Sequence, residues 1–388
     1  MKIIFYCQYV WGIGHLFRSI EVARALSDHE VVLVVGGREV DVELPGHVTL
    51  VRLPGLYMNE QFTTLIPEDA DKTIEDIQTE RREILFSLCR RHKPDLLIIE
   101  LYPFGRTIFG FELQPLLDSI RQGRFGKVKV VCSLRDILVE KRDPKAYEER
   151  VLNYLNAHFD LLLIHSDPAI MPLDETFSRV NDIPVPMFYT GFVTRKVKPA
   201  AGNKLRRELA IAAQEKLIVA SAGGGRSGYT LLSNVIEAVN LLANSQRIRL
   251  EVFAGPFRDN GEFKKLSANS NNRIRVRRFT KRFLEYLSAA DVSVSLAGYN
   301  TCMNVLVTRV PALVYPYLRQ REQPLRVEKI KNFLPIRILQ DQDLNPIPLG
   351  EHIRQMLGAS RSSDGVLPNL DGAENSARYL REWMGCRT

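Results

Sequence analysis

Short apolar runs alternate with amphipathic stretches of helical length along the whole chain. The apolar runs of the first half are rich in Val, Ile and Leu without polar alternation, which is typical of strands covered on both faces. We place strands at residues 3–6, 31–35, 48–53, 96–101, 128–134 and 161–165, and helices at 16–26, 73–92, 107–122 and 144–158. This order of elements predicts a parallel, doubly wound α/β sheet.

The pattern restarts after residue 194. Residues 195–203 are polar and interrupted by Pro199 and Gly202, as in a linker. Strands are then expected at 217–222, 250–254, 273–276, 292–296 and 312–315, helices at 229–243, 281–290, 300–307 and 321–331, a loop at 358–372 and a last helix at 373–384. The predicted fold class is therefore α/β, with two tandem Rossmann-like domains at 1–194 and 195–388. The last helix could pack back on the first domain.

Composition and charge narrow the function classes. The 388 residues are 45% hydrophobic and 25% charged, which is ordinary for a soluble globular protein. Residues 1–193 carry 22 Lys and Arg against 28 Asp and Glu, whereas residues 194–388 carry 31 against 17. This asymmetry predicts that the second half handles an anion: a nucleoside diphosphate, a nucleic acid or an anionic membrane surface.

The cysteine pattern indicates whether the protein works in a reducing or an oxidising compartment. The five Cys are scattered without a CxxC pair, and no signal-peptide pattern precedes the first strand. No stretch reaches the roughly 18 consecutive apolar residues of a membrane span. We expect a cytoplasmic protein without a zinc site or disulfides.

A glycine loop follows the first predicted strand and opens the first helix. It contains Gly12, Gly14 and His15, with Arg18 one turn further on. A dinucleotide fingerprint would require a third glycine at position 17, which is Phe, and this argues against NAD. His15 stands at the carboxyl end of a strand, where ligands of open α/β sheets bind. Its alternative role is to cap the loop.

A second glycine loop, residues 222–228, lies between a strand and a helix of the second half. Its candidate ligand-binding residues are Gly223, Gly224, Gly225, Arg226 and Ser227. The next strand does not end in the acidic residue that NAD binding requires. A phosphate cradle is better supported, and a tight turn that binds nothing is the alternative.

A third strand-to-helix turn carries Gly298, Asn300 and Thr301. Weaker signals are the DxD pairs at 69–71 and 341–343 and the basic run at 273–282. We interpret the DxD pairs as solvated surface and predict no metal site. The basic run is expected to be a solvated strand edge, and nucleic-acid binding is the alternative that it leaves open.

Together these motifs resemble the GT-B glycosyltransferases, and especially the MurG-like branch that makes lipid II for peptidoglycan. The resemblance covers nearly the whole chain. The chain resembles still more closely an uncharacterised group of predicted bacterial glycosyltransferases, from residues 5–8 through residues 133–136. The resemblance implies an acceptor domain followed by a donor domain, with a cleft between them. The donor would be a nucleoside diphosphate sugar, most simply a UDP-sugar, with no separate cofactor.

The resemblance also implies a site map. Gly224, Gly225 and Arg226 would face the diphosphate, and Arg195 matches a donor-side arginine. Phe279 falls where the backbone contacts the base, and Gln323 matches a sugar-contacting glutamine. Asn304 stands where the branch has a ribose-binding Glu, and Pro324 replaces a second Gln, so the nucleotide and the sugar stay open.

Such a transfer needs a base for the acceptor hydroxyl and donors for the leaving diphosphate. His15 is the candidate base, Glu100 the carboxylate that would orient it, and Asp136 the second choice. The enzymatic alternative is a nucleotide-sugar hydrolase or 2-epimerase. The acceptor, whether a small molecule, a glycan or a lipid-linked group at the inner face of the membrane, stays open, as does the oligomeric state.

Overall fold

The chain is represented by a computed structural model, which describes residues 1–9, 13–37, 39–58, 64–224, 227–243, 246–317, 321–361 and 366–386. The chain divides into two compact units. The first contains Met1–Val193 together with Pro368–Thr388, and the second contains Thr194–Leu367. The chain therefore leaves the first unit once and returns to it near its end.

The first unit has a parallel sheet that comprises seven strands in the described part of the chain. Its order is β3-β2-β1-β6-β7-β8-β9, and β4 and β5 form a separate antiparallel hairpin. The strands are β1 (Lys2–Gln8), β2 (Glu30–Gly36), β3 (Val48–Arg52), β4 (Leu56–Met58), β5 (Leu65–Pro67), β6 (Leu96–Glu100), β7 (Lys129–Arg135), β8 (Leu161–His165) and β9 (Met187–Tyr189). The central strands β6 and β8 are buried throughout, which explains their continuous apolar sequence.

The helices between the strands of this sheet are α1 (Gly14–Ala25), α2 (Ile74–His92), α3 (Gly110–Arg121) and α4 (Pro144–His158). Local sequence fixes two of the helix starts. Thr73 and Asp76 form a capping box at the start of α2, and Asp143 caps α4 ahead of Pro144. Short 3₁₀ turns lie at Thr107–Phe109, Leu173–Glu175 and Val180–Asp182.

The second unit repeats the architecture with a six-stranded parallel sheet in its described residues, ordered β12-β11-β10-β13-β14-β15. Its elements are α5 (Ala201–Glu208), β10 (Lys216–Ser221), α6 (Tyr229–Leu242), β11 (Ile248–Phe253), α7 (Asn260–Ser267), β12 (Ile274–Arg277), α8 (Phe283–Ala289), β13 (Val292–Leu296), α9 (Tyr299–Thr308), β14 (Ala312–Tyr315), α10 (Glu322–Ile330), β15 (Ile336–Ile338), the 3₁₀ turn Asp341–Leu344 and α11 (Pro346–Leu357). The predicted class of two tandem doubly wound α/β sheets is confirmed.

The expected linker at residues 195–203 is partly wrong, because α5 begins inside it. The sequence of this short helix lacks a clear helical pattern, because it contains Gly202 and several charged residues. The helix is held by tertiary contacts: Arg206 Nη1 donates to Asp291 Oδ2 at 3.0 Å and to the carbonyl of Ala289 at 2.9 Å. Helices α7 and α11 and the strand β15 were also not predicted, since they are short or begin in Pro-rich sequence.

The last helix, α12 (Gly372–Trp383), lies in the first unit. Its Tyr379 stacks on Phe188 of β9, with ring centroids 3.9 Å apart. The backbone N–H of Gly372 donates to the carbonyl of Phe192 at 3.0 Å. A Cβ at position 372 would lie 2.4 Å from the carbonyl oxygen of Gly191, so this close approach requires glycine.

A buried ionic network ties four segments of the first unit together. Arg81 of α2 is fully buried and contacts Glu112 of α3 through two hydrogen bonds of 2.8 and 2.6 Å. The same guanidinium donates to Gln8 Oε1 at 2.8 Å and to the carbonyl of Pro54 at 2.7 Å. All three nitrogens of the guanidinium therefore donate hydrogen bonds within the protein, which indicates a structural role.

We expect Arg81→Met to lower the free energy of unfolding by about 3–5 kcal/mol, because Glu112 is left buried without its cation. The exposed Arg90 of the same helix is the matched control, and Arg90→Met should cost less than about 1 kcal/mol. Chemical denaturation of both variants measures the difference. Equal stability of the two variants would contradict the structural role of the network.

Candidate active site

The order of strands in the first sheet reverses between β1 and β6, which are parallel neighbours. Open α/β sheets bind ligands at such a reversal, outside the carboxyl ends of the strands. His15 is the second residue of α1, after β1, and Glu100 is the last residue of β6. The topology therefore brings these two residues to the position where the fold class binds ligands.

His15 and Glu100 are in direct contact. His15 Nδ1 lies 2.7 Å from Glu100 Oε1, and Arg18 Nη2 donates to the same carboxylate oxygen. Because the ionised Glu100 carboxylate can only accept, we assign the imidazole proton to Nδ1, pointing at Glu100, although Arg18 Nη2 also lies 3.1 Å from Nδ1. This tautomer leaves Nε2 as the acceptor nitrogen.

Burial controls the electrostatics of this pair. Glu100 is fully buried, and 16% of the His15 side chain is exposed. Burial lowers the pKa of His15 from 6.5 to about 4, although Glu100 opposes that shift. Burial alone would raise the pKa of Glu100, but His15 and Arg18 outweigh it and hold that pKa well below its usual range. At neutral pH the pair is thus a neutral imidazole beside a carboxylate.

Arg106 is a neighbour that sequence reasoning missed. It follows β6 in a left-handed backbone conformation (φ 60°), and burial lowers the pKa of its guanidinium while Glu100 opposes that shift. Its Nε is buried without a hydrogen-bond partner in the described structure. The guanidinium groups of Arg18 and Arg106 therefore outnumber the single carboxylate of Glu100, and this environment favours a ligand with negative charge.

A second buried histidine also went unnoticed in the sequence. Ser133 Oγ lies 2.7 Å from His165 Nε2, and His165 Nδ1 lies 3.0 Å from Thr190 Oγ1. Burial lowers the pKa of His165 to about 3, so this imidazole is neutral. It joins β7, β8 and the segment after β9, and no sequence motif pointed to it.

The other candidates of the first unit are less closely associated with His15. Gly12 lies outside the described residues, and Gly14 is the first residue of α1. Asp136 is fully buried after β7, with Oδ1 3.6 Å from Arg135 Nε. In the described structure the side-chain contacts of His15 are with Glu100 and Arg18, whereas none is recorded with Asp136.

The second sheet reverses its strand order between β10 and β13. The glycine loop at 222–228 follows β10, and the turn around Gly298 follows β13, so both turns adjoin this reversal. The helices α6 and α9, which they open, have no side-chain cap in the described structure. Two helix N-termini with their positive dipole ends thus lie at one sheet edge, which is an arrangement suited to a diphosphate.

The loop after β10 is held by its neighbours. Gly228 has φ +87°, and a Cβ there would lie 3.0 Å from both Ala222 Cβ and Leu296 Cδ1. The backbone N–H of Phe257 donates to the carbonyl of Gly224 at 3.1 Å, and the buried Arg258 donates to the carbonyl of Ser227 at 2.5 Å. Arg258 was not predicted, because only the fold brings the loop after β11 against this glycine loop.

Only some of the residues that the sequence predicts to bind the donor lie at this edge of the second sheet. Gly223, Gly224, Ser227 and Gly298 lie on the two turns, and Asn300 and Thr301 lie in the first turn of α9. Gly225 and Arg226 lie outside the described residues. Asn304 lies one helical turn after Asn300 in α9. Gln323 is the second residue of α10, and its Oε1 accepts from the N–H of Tyr317 at 2.9 Å. Phe279 follows the edge strand β12, and Arg195 follows the boundary between the two units.

The weaker motifs have local partners. Asp341 accepts from the Tyr315 hydroxyl at 2.7 Å, and Asp343 pairs with His352 at 3.0 Å. Among the described residues no group of three or more His, Cys, Asp or Glu could hold a metal ion. No described helix has the length and apolar character needed to cross a membrane.

The basic run of the second unit lies on and after the edge strand β12. Arg277 Nε is 3.5 Å from Glu251, and Arg282 contacts both Glu208 and Glu285 at 2.7 Å. Several of these charges are therefore neutralised within the protein.

Two Rossmann-like sheets with ligand-binding edges define the GT-B class of proteins. Residues 219–364 match the C-terminal domain of glycosyltransferase family 28. The matched residues lie in the second unit, and the chain is similar to GT-B glycosyltransferases of the MurG-like branch.

A curated relative from Carboxydothermus hydrogenoformans is 24% identical over 207 residues. It is the UDP-N-acetylglucosamine–N-acetylmuramyl-(pentapeptide) pyrophosphoryl-undecaprenol N-acetylglucosamine transferase. The match spans 50% of this chain and 52% of the relative, so the chain matches only about half of the relative's length.

Solved structures show the same fold over nearly the whole chain. The Staphylococcus aureus MnaA–UDP complex aligns with a TM-score of 0.60 at 13% identity, covering 100% of this chain and 97% of the other. Phytolacca americana UGT2, complexed with UDP-2-fluoroglucose and pterostilbene, aligns with a TM-score of 0.59 at 13% identity, covering 98% and 94%. The glycosyltransferase of kitacinnamycin aligns with a TM-score of 0.54 at 16% identity, covering 99% and 95%.

We expect the imidazole of His15 to titrate near pH 4 rather than 6.5, because its surroundings disfavour the charged form. Nitrogen NMR shifts measured from pH 8 to pH 3 report this, with His15→Gln identifying the signal. Since the folded pKa lies below the unfolded one, the His15 contribution to stability should diminish as pH falls from about 6.5 towards 4. In Glu100→Gln the midpoint should fall further. A midpoint at or above 6.5 would contradict the assigned electrostatics.

Proposed function

We propose that this protein transfers a sugar from a nucleoside diphosphate sugar, most simply a UDP-sugar, to a hydroxyl group of an acceptor. The observation that carries the proposal is the strand-order reversal of the second sheet, where two uncapped helix N-termini adjoin. The family 28 match covers this region. The curated relative is named for a UDP-N-acetylglucosamine donor, and two structural neighbours are described with UDP or a UDP-sugar.

The second unit would hold the donor. The N–H groups of the turns after β10 and β13 would bind the diphosphate, and the positive charge of the second half would offset its negative charge. Asn300, Thr301 and Gln323 offer hydrogen bonds to the ribose or the sugar. We propose that these groups, with Arg226, stabilise the leaving nucleotide without a divalent metal.

The first unit would supply the base. As the acceptor oxygen forms its bond to the anomeric carbon, the bond from that carbon to the phosphate oxygen breaks, and the nucleoside diphosphate leaves with the electron pair. His15 Nε2 would take the acceptor proton, while Nδ1–H stays bonded to Glu100, whose negative charge stabilises the imidazolium. The low pKa keeps the base form available at neutral pH.

The donor site is tested by Gly298→Asp. Gly298 caps α9 with φ −65° and ψ 150°, and no atom lies within 4 Å of its added Cβ, so Asp fits and is a favoured cap. The new charge would lie where the diphosphate is proposed to bind. We expect UDP affinity to fall at least about tenfold, or ~1.4 kcal/mol, without loss of thermal stability.

Gly298→Asn is the matched control, since it has the same shape and capping ability without the charge. Calorimetric titration with UDP, GDP, CDP and TDP measures affinity and identifies the nucleotide. Wild-type affinity in Gly298→Asp would exclude this turn from the diphosphate site. Failure of the wild-type protein to bind any of these nucleotides would overturn the proposed function.

The base is tested by His15→Ala, which should lower kcat by about 10²–10⁴-fold and leave UDP affinity nearly unchanged. Turnover of donor with an acceptor panel, in EDTA and in Mg²⁺, is the measurement. Normal kcat in the folded variant, or weakened UDP binding with normal kcat, would exclude the base role. Turnover that is lost in EDTA and restored by Mg²⁺ would contradict metal independence. Donor turnover without any acceptor would instead favour the hydrolase or 2-epimerase alternative.

A further inference from the structure

A second fully buried arginine, Arg326 of α10, lies next to the turn that opens α9. Its Nη1 donates to the carbonyl of Ala297 at 3.4 Å, and its Nη2 donates to Glu322 Oε1 at 3.0 Å. The guanidinium carbon lies 5.5 Å from the centre of the Tyr299 ring. Arg326 therefore contacts the residues on both sides of Gly298.

The same helix also holds the segment that follows β14. Gln323, three residues before Arg326, accepts a hydrogen bond from the N–H of Tyr317. Glu322 is 8% exposed, so its ion pair with Arg326 is shielded from solvent. One guanidinium thus joins the first turn of α10 to the first turn of α9.

Burying a charged guanidinium between these two turns costs free energy of desolvation. The guanidinium and the Glu322 carboxylate both lose their hydration, and their ion pair compensates that loss only in part. An apolar side chain of similar volume would often stabilise such an interior equally well or better. The buried ion pair has a use if it holds this turn in the geometry that a bound anion requires.

We propose that Arg326 is a positioning residue for nucleotide binding. Its guanidinium fixes the turn of Ala297, Gly298 and Tyr299 relative to Gln323. The proposal rests on the proposed function, in which this turn binds the diphosphate of the donor. Arg326 does not need to touch the nucleotide to act in this way.

Arg326→Met removes the charge and the hydrogen bonds while keeping most of the side-chain volume. We expect the Kd for UDP and the KM for the donor to rise about 10- to 100-fold, because the turn loses its fixed position, while kcat at saturation changes little. Arg326→Lys keeps the charge without the planar fork and should restore part of the affinity. UDP titration calorimetry and steady-state kinetics on the folded protein are the measurements.

Arg81→Met is the matched control, because Arg81 is equally buried but belongs to the first unit. It should lower stability and leave the UDP affinity of the folded protein unchanged. A merely structural Arg326 would behave in the same way, with a lower Tm and wild-type Kd, and that result would overturn the proposal.

A further variant, which keeps Arg326, tests the proposal even if Arg326→Met does not fold. Glu322→Gln removes the carboxylate that orients the guanidinium, and we expect it to raise the Kd for UDP severalfold. If Arg326→Met does not fold, wild-type Kd values in both Glu322→Gln and Arg326→Lys would overturn the proposal. Absence of UDP binding by the wild-type protein would count against the proposed function instead, so the two failures are distinguishable.

Discussion

Parallel strands that are buried on both faces confine polar chemistry to their ends, and this constraint governs both units. The interiors of β6 and β8 are apolar and sealed, so a functional side chain can reach a ligand only beyond the carboxyl end of a strand. Where the strand order reverses, the following loops diverge and leave room for a ligand. The reversals between β1 and β6 and between β10 and β13 place the two candidate sites.

The first site depends on a carboxylate that is buried at the end of its strand. Glu100 could not remain ionised there without cationic or hydrogen-bonding partners, because desolvation disfavours its charge. Arg18 supplies the cation, and His15 supplies a hydrogen bond. Since Arg18 already neutralises Glu100, the imidazole need not be protonated, and burial keeps it neutral. The same contacts that make the carboxylate tolerable also leave a nitrogen free to accept a proton.

The second site is built from backbone rather than from titratable side chains. Its glycine loop is held by the N–H of Phe257 and by Arg258, and the turn at Gly298 is contacted on both sides by Arg326. These supports lie in other segments of the chain. Arg81 differs from Arg326 in its surroundings. All three nitrogens of the Arg81 guanidinium donate to groups of the first unit, and the residue is distant in sequence from the glycine turns. Its role is structural.

The sequence by itself determined the class of fold, because continuous apolar runs and helical periodicity are local properties that buried parallel strands require. It also marked His15, Glu100 and both glycine turns, since each directly begins, ends or follows a strand. It could not identify Arg106, His165, Arg258 or Arg326, which no motif distinguishes from surface residues, nor the helix α5 within a polar segment. Only the tertiary structure decided the roles of these residues and of α5. Burial and the choice of contacting groups depend on segments that are distant along the chain and that the sheet order brings together.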